Sequence, residues 1–327
     1  MLYTNKEITG DFIKMKTFLR YFLVAFLLLT LLFMPINLLF QKVSNIQIFG
    51  GEENLMSQMP VLVDENSPFF EAFQDNQRVN VLLIGSNEGM TDTMMLVSYD
   101  LKAQHVDLIS VPRDTYYPRP GYNDAASKKI NAIFNKEGII GTATAVSDTL
   151  LGMPIHYYAM IDYDGVAKVV DAMGGVPMDI PFRMKYNDPY DDPPLKIDIP
   201  EGYQILDGEH AVQFLRYRHG YISGDIGRIE AQQTFMKSAF RQMLTLSLPN
   251  IASTIIDNVD SDISVGMAAK IATKAVGLDS ANLVTYMLPG EPQMAEGASF
   301  WFADTEQTAE MIKTIYSIQP TTEGTTE

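Results

Sequence analysis

Three short apolar runs in quick succession constrain the fold most. Val79–Gly85, Thr93–Asp100 and His105–Val111 are rich in Val, Leu, Ile and Met, with turn-length spacers between them. Such runs predict strands. Apolar spacing then alternates between strand and helix periods. Helices are expected at Lys128–Lys136 and at Gly141–Leu151, the second ending at Gly152, followed by a strand at Ile155–Tyr163. A helix over Tyr163–Met173 closes on Gly174-Gly175, which can supply the positive φ of a C-terminal cap, and Val176–Ile180 returns as a strand. Lys185–Pro194, with three prolines and three aspartates, predicts an exposed loop. Helices follow at Asp207–Leu215, from Asp225 to about Leu244, at Asn250–Asp257, Gly266–Val276 and Thr305–Ile315, with strands at Val284–Leu288 and Ser299–Phe302. The pattern predicts one α/β domain over 79–318, a layered sheet with helices on both faces. The tail 319–327 is polar and expected to be disordered.

The N-terminal region obeys a different rule. Tyr21–Phe40 carries no charge over 20 residues, enough to span the hydrocarbon as a helix. Lys6, Lys14, Lys16 and Arg20 outweigh Glu7 and Asp11 before it, which places residues 1–20 in the cytoplasm and the rest outside the cell membrane. A cleaved signal peptide would also be apolar. The length of the run, and the lack of a small-x-small site after it, favour a retained anchor. Residues 41–78 are weakly periodic and acidic, as expected of a juxtamembrane linker.

Charge narrows the function. The chain holds 24 Lys+Arg against 40 Asp+Glu, a net charge of −16. That opposes non-specific nucleic-acid binding, which needs a basic footprint. With no cysteine, disulfides and thiolate chemistry are excluded. Against this acidity, three of only nine arginines fall within Arg216–Arg228. Guanidinium groups concentrated in this way suit bidentate oxyanion binding. Arg216 and Arg218 would project to one side of an extended segment. Asp225, Arg228 and Gln232 would share a helical face; an N-cap with a surface ion pair is the simpler alternative. Arg113, in Val111-Pro112-Arg113-Asp114, ends a strand, where ligands of α/β sheets bind. Asp92, in Thr91-Asp92-Thr93, could ligate Mg²⁺ or serve a turn. The stripes Val166-Val169-Val170-Met173 and Phe235-Met236-Ala239-Phe240 read as core packing.

Taken in order, these segments resemble the LytR-CpsA-Psr family of bacterial cell-envelope phosphotransferases. The matching pieces are Asn80–Gly85, Thr91–Met95, Ile109–Tyr116, Lys129–Ala132, Asp171–Val176, Leu206–Ala211, Arg216-x-Arg218 and Asp225-x-x-Arg228-x-x-x-Gln232. The resemblance implies a three-layer α/β/α domain with a central mixed sheet. It also implies transfer of a phospho-glycopolymer (wall teichoic acid, capsular or other wall polysaccharide) from undecaprenyl pyrophosphate to a peptidoglycan hydroxyl. By the same resemblance Arg113, Arg216, Arg218 and Arg228 grip the pyrophosphate and Gln232 supports it. Asp92 holds Mg²⁺, or Mn²⁺ in its place, and Asp225 orients an arginine or acts near the acceptor hydroxyl. Three positions depart from the family pattern: Asn87 for an aspartate, Met90 for an arginine and Ala231 for a second arginine. A weakened homologue that binds the polyprenyl-pyrophosphate lipid is the alternative these departures leave open.

Overall fold

The computed structural model describes residues 54–74, 77–87, 90–190, 195–221, 225–245, 249–275 and 278–318. The charge-free run 21–40 and the tail 319–327 lie outside the described residues. Among the described residues no helix is long and apolar enough to cross a membrane. The strands are β1 (Arg78–Asn87), β2 (Met90–Asp100), β3 (His105–Val111), β4 (Tyr157–Asp162), β5 (Val176–Ile180), β6 (Met184–Asp188), β7 (Leu195–Ile199), β8 (Gly202–Leu206), β9 (Asp260–Ser261), β10 (Leu283–Met287), β11 (Gly290–Ala295) and β12 (Ala298–Ala303). The helices are α1 (Phe70–Phe73), α2 (Phe134–Thr149), α3 (Tyr163–Ala172), α4 (Gly208–Arg216), α5 (Asp225–Thr245), α6 (Pro249–Asn258), α7 (Val265–Lys274) and α8 (Thr305–Tyr316). The chain divides into two units by contacts. The described part of one is Val265–Ala272, within α7. The other, Glu52–Ser264 with Thr273–Glu327, holds everything below.

Its centre is a six-stranded mixed sheet in the order β10-β3-β2-β1-β4-β9. β1, β2 and β3 pair antiparallel with one another, while β4 joins β1 and β10 joins β3 in parallel. Met94, Met95 and Leu96 are consecutive and all buried, as in a strand covered on both faces. On one face Leu82, Ile84, Leu96 and Ile109 pack with Val146 of α2 and Ile312 of α8. The other face receives α5. There Gln233 Nε2 donates to Ser110 Oγ at 3.1 Å and to the Tyr286 carbonyl at 2.6 Å. A second apolar cluster joins α3, α4 and α5 to the hairpin strands β5–β8 through Val170, Met178, Ile199, Phe214 and Phe235. Val166, Val169, Met173, Met236 and Ala239 belong to it, so those stripes are core there.

Several boundaries differ from the sequence reading. The expected helix Lys128–Lys136 is two 3-10 turns, Ala126–Lys128 and Ile130–Ala132, ahead of α2. Lys129 between them is extended (φ −86°, ψ 143°), where the backbone bridges to Tyr116, and its amine reaches Asp114. The expected loop Lys185–Pro194 begins as strand β6, paired with β7 from Met184↔Ile199 to Asp188↔Leu195. Of the segment read as a linker, residues 54–74 contribute Met56, Phe69 and Phe73 to the core.

Candidate functional site

The site forms where the sheet's parallel strands end. β1 and β4 finish side by side, with Ser86 opposite Asp162, and Val111 at the end of β3 lies opposite Met94. At this edge the β1–β2 ladder changes register. Gly85 pairs with Thr93 and Ser86 with Thr91, so Asp92 is one residue too many. Such a bulge re-aims the extra side chain. Gly85 suits the spot, since a Cβ there would stand 3.1 Å from Thr93 Cβ.

Asp92 points at arginines. Arg113 Nη1 donates to Asp92 Oδ1 at 2.7 Å, and Arg218 Nη2 lies 3.8 Å from the same oxygen. Tyr163 OH donates to the other oxygen, Oδ2, at 3.4 Å. The Arg216 guanidinium sits over the Tyr163 ring, 5.2 Å from its centroid, within cation–π range. The Asp92 and Arg113 side chains are 16% and 19% exposed, against 47% for Arg218, so the cluster is sheltered on the sheet side and open on the other. Burial first, then the Asp92 carboxylate, raises the Tyr163 phenol above its ordinary range, while Arg216 and Arg218 pull it down.

Local folding rules place each group. Pro112 ends the β3 ladder, since it has no N–H to donate, and the Pro112 carbonyl accepts from Thr115 N at 3.0 Å. Arg113's carbonyl accepts from Asn131 N at 3.2 Å, while Lys129 Nζ meets Asp114 Oδ1 at 2.8 Å. Asp162 caps α3, its Oδ1 accepting from Gly165 N at 2.7 Å, and this sets Tyr163 at the first turn. Asp171 at the far end of α3 accepts from Gly208 N at 2.7 Å. Gly208 must be glycine, because a Cβ would fall 2.3 Å from the Ala167 carbonyl oxygen. α3 and α4 are thereby pressed together, which brings Arg216, the last residue of α4, over Tyr163. Arg216 is helical rather than extended as expected. Tyr217 leaves the helix extended and buries its ring, and Arg218 emerges beyond it.

The arginine window is further held by aromatic side chains. Tyr217 meets Phe182 and Tyr221, and His219 stacks on Tyr186 with centroids 4.2 Å apart. Gly220 takes φ +81° against the Phe182 ring. Arg228 is 5% exposed and acts electrostatically on Tyr221, whose phenol is pushed up to about 12, chiefly by burial. Gln232 is half-buried one turn further along α5. The structure therefore brings Asp92, Arg113 and Arg218 together, with Arg216 next to them on Tyr163, and buries Arg228 near Tyr221. The side chains of Asp225 and Asn87 lie outside the described residues, and Met90 is exposed at the start of β2. Sequence reasoning gave no role to Tyr163 or Lys129. Tyr163 had one available signal, its place directly after a residue that both ends a strand and caps a helix.

The arrangement can bind a polyanion. Arg113 and Arg218 face the Asp92 carboxylate, with Arg216 beside them on the Tyr163 ring, and diphosphate oxygens could take over the carboxylate's contacts. For a divalent cation, Asp92 Oδ2 carries, among the described residues, the long hydrogen bond from Tyr163 alone. Among the described residues no group of three or more His, Cys, Asp or Glu could hold a metal. The donor set fits Mg²⁺ bound by one carboxylate with phosphate oxygens and water supplying the rest.

The LytR_cpsA_psr family model matches residues 47–316. Among similar proteins is the polyisoprenyl-teichoic acid–peptidoglycan teichoic acid transferase TagV of Bacillus subtilis. It is 28% identical over 245 residues, covering 74% of this chain and 61% of TagV. The correspondingly named TagU of Oceanobacillus iheyensis is 25% identical over 261 residues, covering 75% of this chain and 77% of TagU. The crystal structure of B. subtilis TagV superposes with a TM-score of 0.63 at 23% identity, covering 76% of this chain and 100% of that one. That superposition establishes a shared fold.

Proposed function

The chain belongs to the LytR-CpsA-Psr family, and we propose that it transfers a phospho-glycopolymer from undecaprenyl pyrophosphate to a hydroxyl of peptidoglycan. The meeting of Arg113 and Arg218 at Asp92, with Arg216 on the neighbouring Tyr163 ring, carries the reading. TagV and TagU, by name, transfer teichoic acid to peptidoglycan, which supports a wall glycopolymer as cargo. In the reaction, the acceptor hydroxyl oxygen bonds to the phosphorus bearing the glycan. The bond from that phosphorus to the bridging oxygen breaks. The bridging oxygen leaves with the electron pair as undecaprenyl phosphate, and the hydroxyl proton passes to a base or to water.

Phosphoryl transfer of this kind depends on positioned positive charge. Arg113, Arg216 and Arg218 would bind the pyrophosphate and offset charge on the leaving oxygen. Arg228 and Gln232 would complete the grip from α5. Asp225, at the first position of α5, would orient an arginine or act beside the acceptor hydroxyl. Mg²⁺, or Mn²⁺, held by Asp92 would supply further charge neutralisation on the phosphates. The apolar run 21–40 supports a single membrane anchor, with the catalytic domain on the outer face beside lipid-linked donor and wall acceptor.

The test is transfer by the purified protein from a lipid-pyrophosphate glycan to a peptidoglycan oligomer. Arg218→Ala removes one charge-assisted contact, about 1.5–3 kcal/mol, so the rate should fall about ten- to a hundredfold. Transfer that is absent, or indifferent to Arg218, refutes the reading. A second reading is favoured by Met90, which presents an exposed thioether where the family has an arginine. In that reading the protein binds the lipid pyrophosphate without turnover, and tight binding with no transfer would identify it.

A further inference from the structure

We infer that Tyr163 is a positioning residue of this site, resting on the transfer reading above: its hydroxyl fixes the Asp92 carboxylate and its ring carries the Arg216 guanidinium. Asp92 Oδ1 is shared by Arg113 and Arg218, at 2.7 and 3.8 Å, whereas Oδ2 faces Tyr163 OH at 3.4 Å. A carboxylate held at one oxygen can still turn about its last side-chain bond. Contact at both oxygens fixes the plane. The arginines have a second task. When phosphate oxygens arrive, guanidinium groups that hold Asp92 in the free protein are drawn to the substrate. Tyr163 carries no charge, so it has no such competing attraction and can keep Asp92 oriented throughout.

The ring does separate work. Arg216 is the last residue of α4 and needs a surface to lie on at the site. The Tyr163 face provides one at 5.2 Å. Backbone placement supports this assignment. Tyr163 follows Asp162, which is level with Ser86 next to the bulge that re-aims Asp92. The capping bond from Gly165 N to Asp162 and the close approach of Gly208 to Ala167 fix both helices that meet there.

Two substitutions separate the roles. Tyr163→Phe keeps the ring and removes the hydroxyl. Tyr163→Leu removes both. Binding of geranylgeranyl diphosphate to the full-length protein is measured by calorimetry, alongside donor kcat and KM in the transfer assay and a thermal melt of each variant. The phenylalanine variant should bind within about twofold of wild type, with kcat lowered about fivefold, the scale of one hydrogen bond. The leucine variant should in addition bind about five- to tenfold more weakly, the scale of a partly desolvated cation–π contact. Adding Arg216→Ala to it should weaken binding little further. An unchanged kcat in Tyr163→Phe overturns the hydroxyl's role. A Tyr163→Leu variant that folds and binds like wild type overturns the ring's role. If wild type itself neither binds nor transfers, the reading of the site fails and Tyr163 falls with it. If wild type binds and only the variants behave otherwise than stated, the Tyr163 assignment alone fails. A melt lowered in both variants with kcat and KM intact would mark Tyr163 as packing and refute the inference.

Discussion

Acid should unfold this protein through His156. His156 is half-buried, and its ring Nδ1 accepts the Asn80 backbone N–H at 2.9 Å, while the His156 backbone N–H donates to the Asn80 carbonyl at 2.9 Å. The neutral ring therefore joins the segment before β4 to β1. Protonation would place a ring N–H against the Asn80 N–H, two donors face to face. Burial lowers the pKa of this histidine from 6.5 to about 4. The unfolded chain thus binds the proton more readily than the folded one between those limits. Stability is fully present above pH 6.5 and is lost as pH falls toward 4, below which the loss levels off. The drop of about 2.5 pKa units, at 1.36 kcal/mol each, amounts to roughly 3 kcal/mol. That is a large share of the 5–15 kcal/mol that typically holds a domain together. Urea unfolding from pH 7.5 to pH 4 would measure it. The fluorescence of Trp301, the sole tryptophan and a buried one, is the reporter. His156→Gln offers an acceptor that does not titrate, so wild type should lose about 3 kcal/mol more than the variant across that range. Carboxylates common to both proteins cancel in the difference. Parallel curves for the two proteins would refute the argument.

Two further substitutions probe the frame around the site. Gly208→Ala forces α3 and α4 apart at Ala167. It should cost about 1–3 kcal/mol by overpacking, read by urea unfolding, and weaken diphosphate binding because Arg216 moves with α4. Arg78 is buried and donates to Asp107 Oδ2 at 2.8 Å and Ser98 Oγ at 3.0 Å, and also to the Ile315 carbonyl. Arg78→Ala strands the buried Asp107 and should cost about 3–5 kcal/mol. Paired with Asp107→Leu it should cost less, so a double mutant as unstable as the single one would contradict this account.

Much of the frame was legible in the sequence because local rules decided it. Burial on both faces made β2 and β3 recognisable as apolar runs, and Gly174 and Gly175 do take φ +77° and +94° after α3. Asp207, read as the start of a helix, caps α4 by accepting from His210 N. What tertiary contact decided was not legible. Lys129 looks helical among its neighbours but is extended where its backbone bridges to Tyr116. β6 hides in a polar segment because one face of the hairpin is solvated, with Met184 and Ile197 facing in and Lys185 facing out. Scarcity of arginine marked Arg113, Arg216 and Arg218, yet no pattern in the chain announces that Tyr163 would stand between Arg216 and Asp92. Side chains at 163, 92 and 216 become neighbours only through a strand pairing and a helix contact.

The bulge at Asp92 separates two properties that a site residue normally carries together. Its charge depends on which residue occupies position 92, whereas its location depends on how many residues precede Thr93 in the strand. Exchange of the side chain leaves the count intact and the pocket's outline in place. Deletion of the one residue between Thr91 and Thr93 would let the two strands pair without interruption. Chain length at this one point is therefore as much a determinant of the chemistry as the carboxylate, and relatives of this protein that differ here by a single insertion or deletion would differ in the site itself.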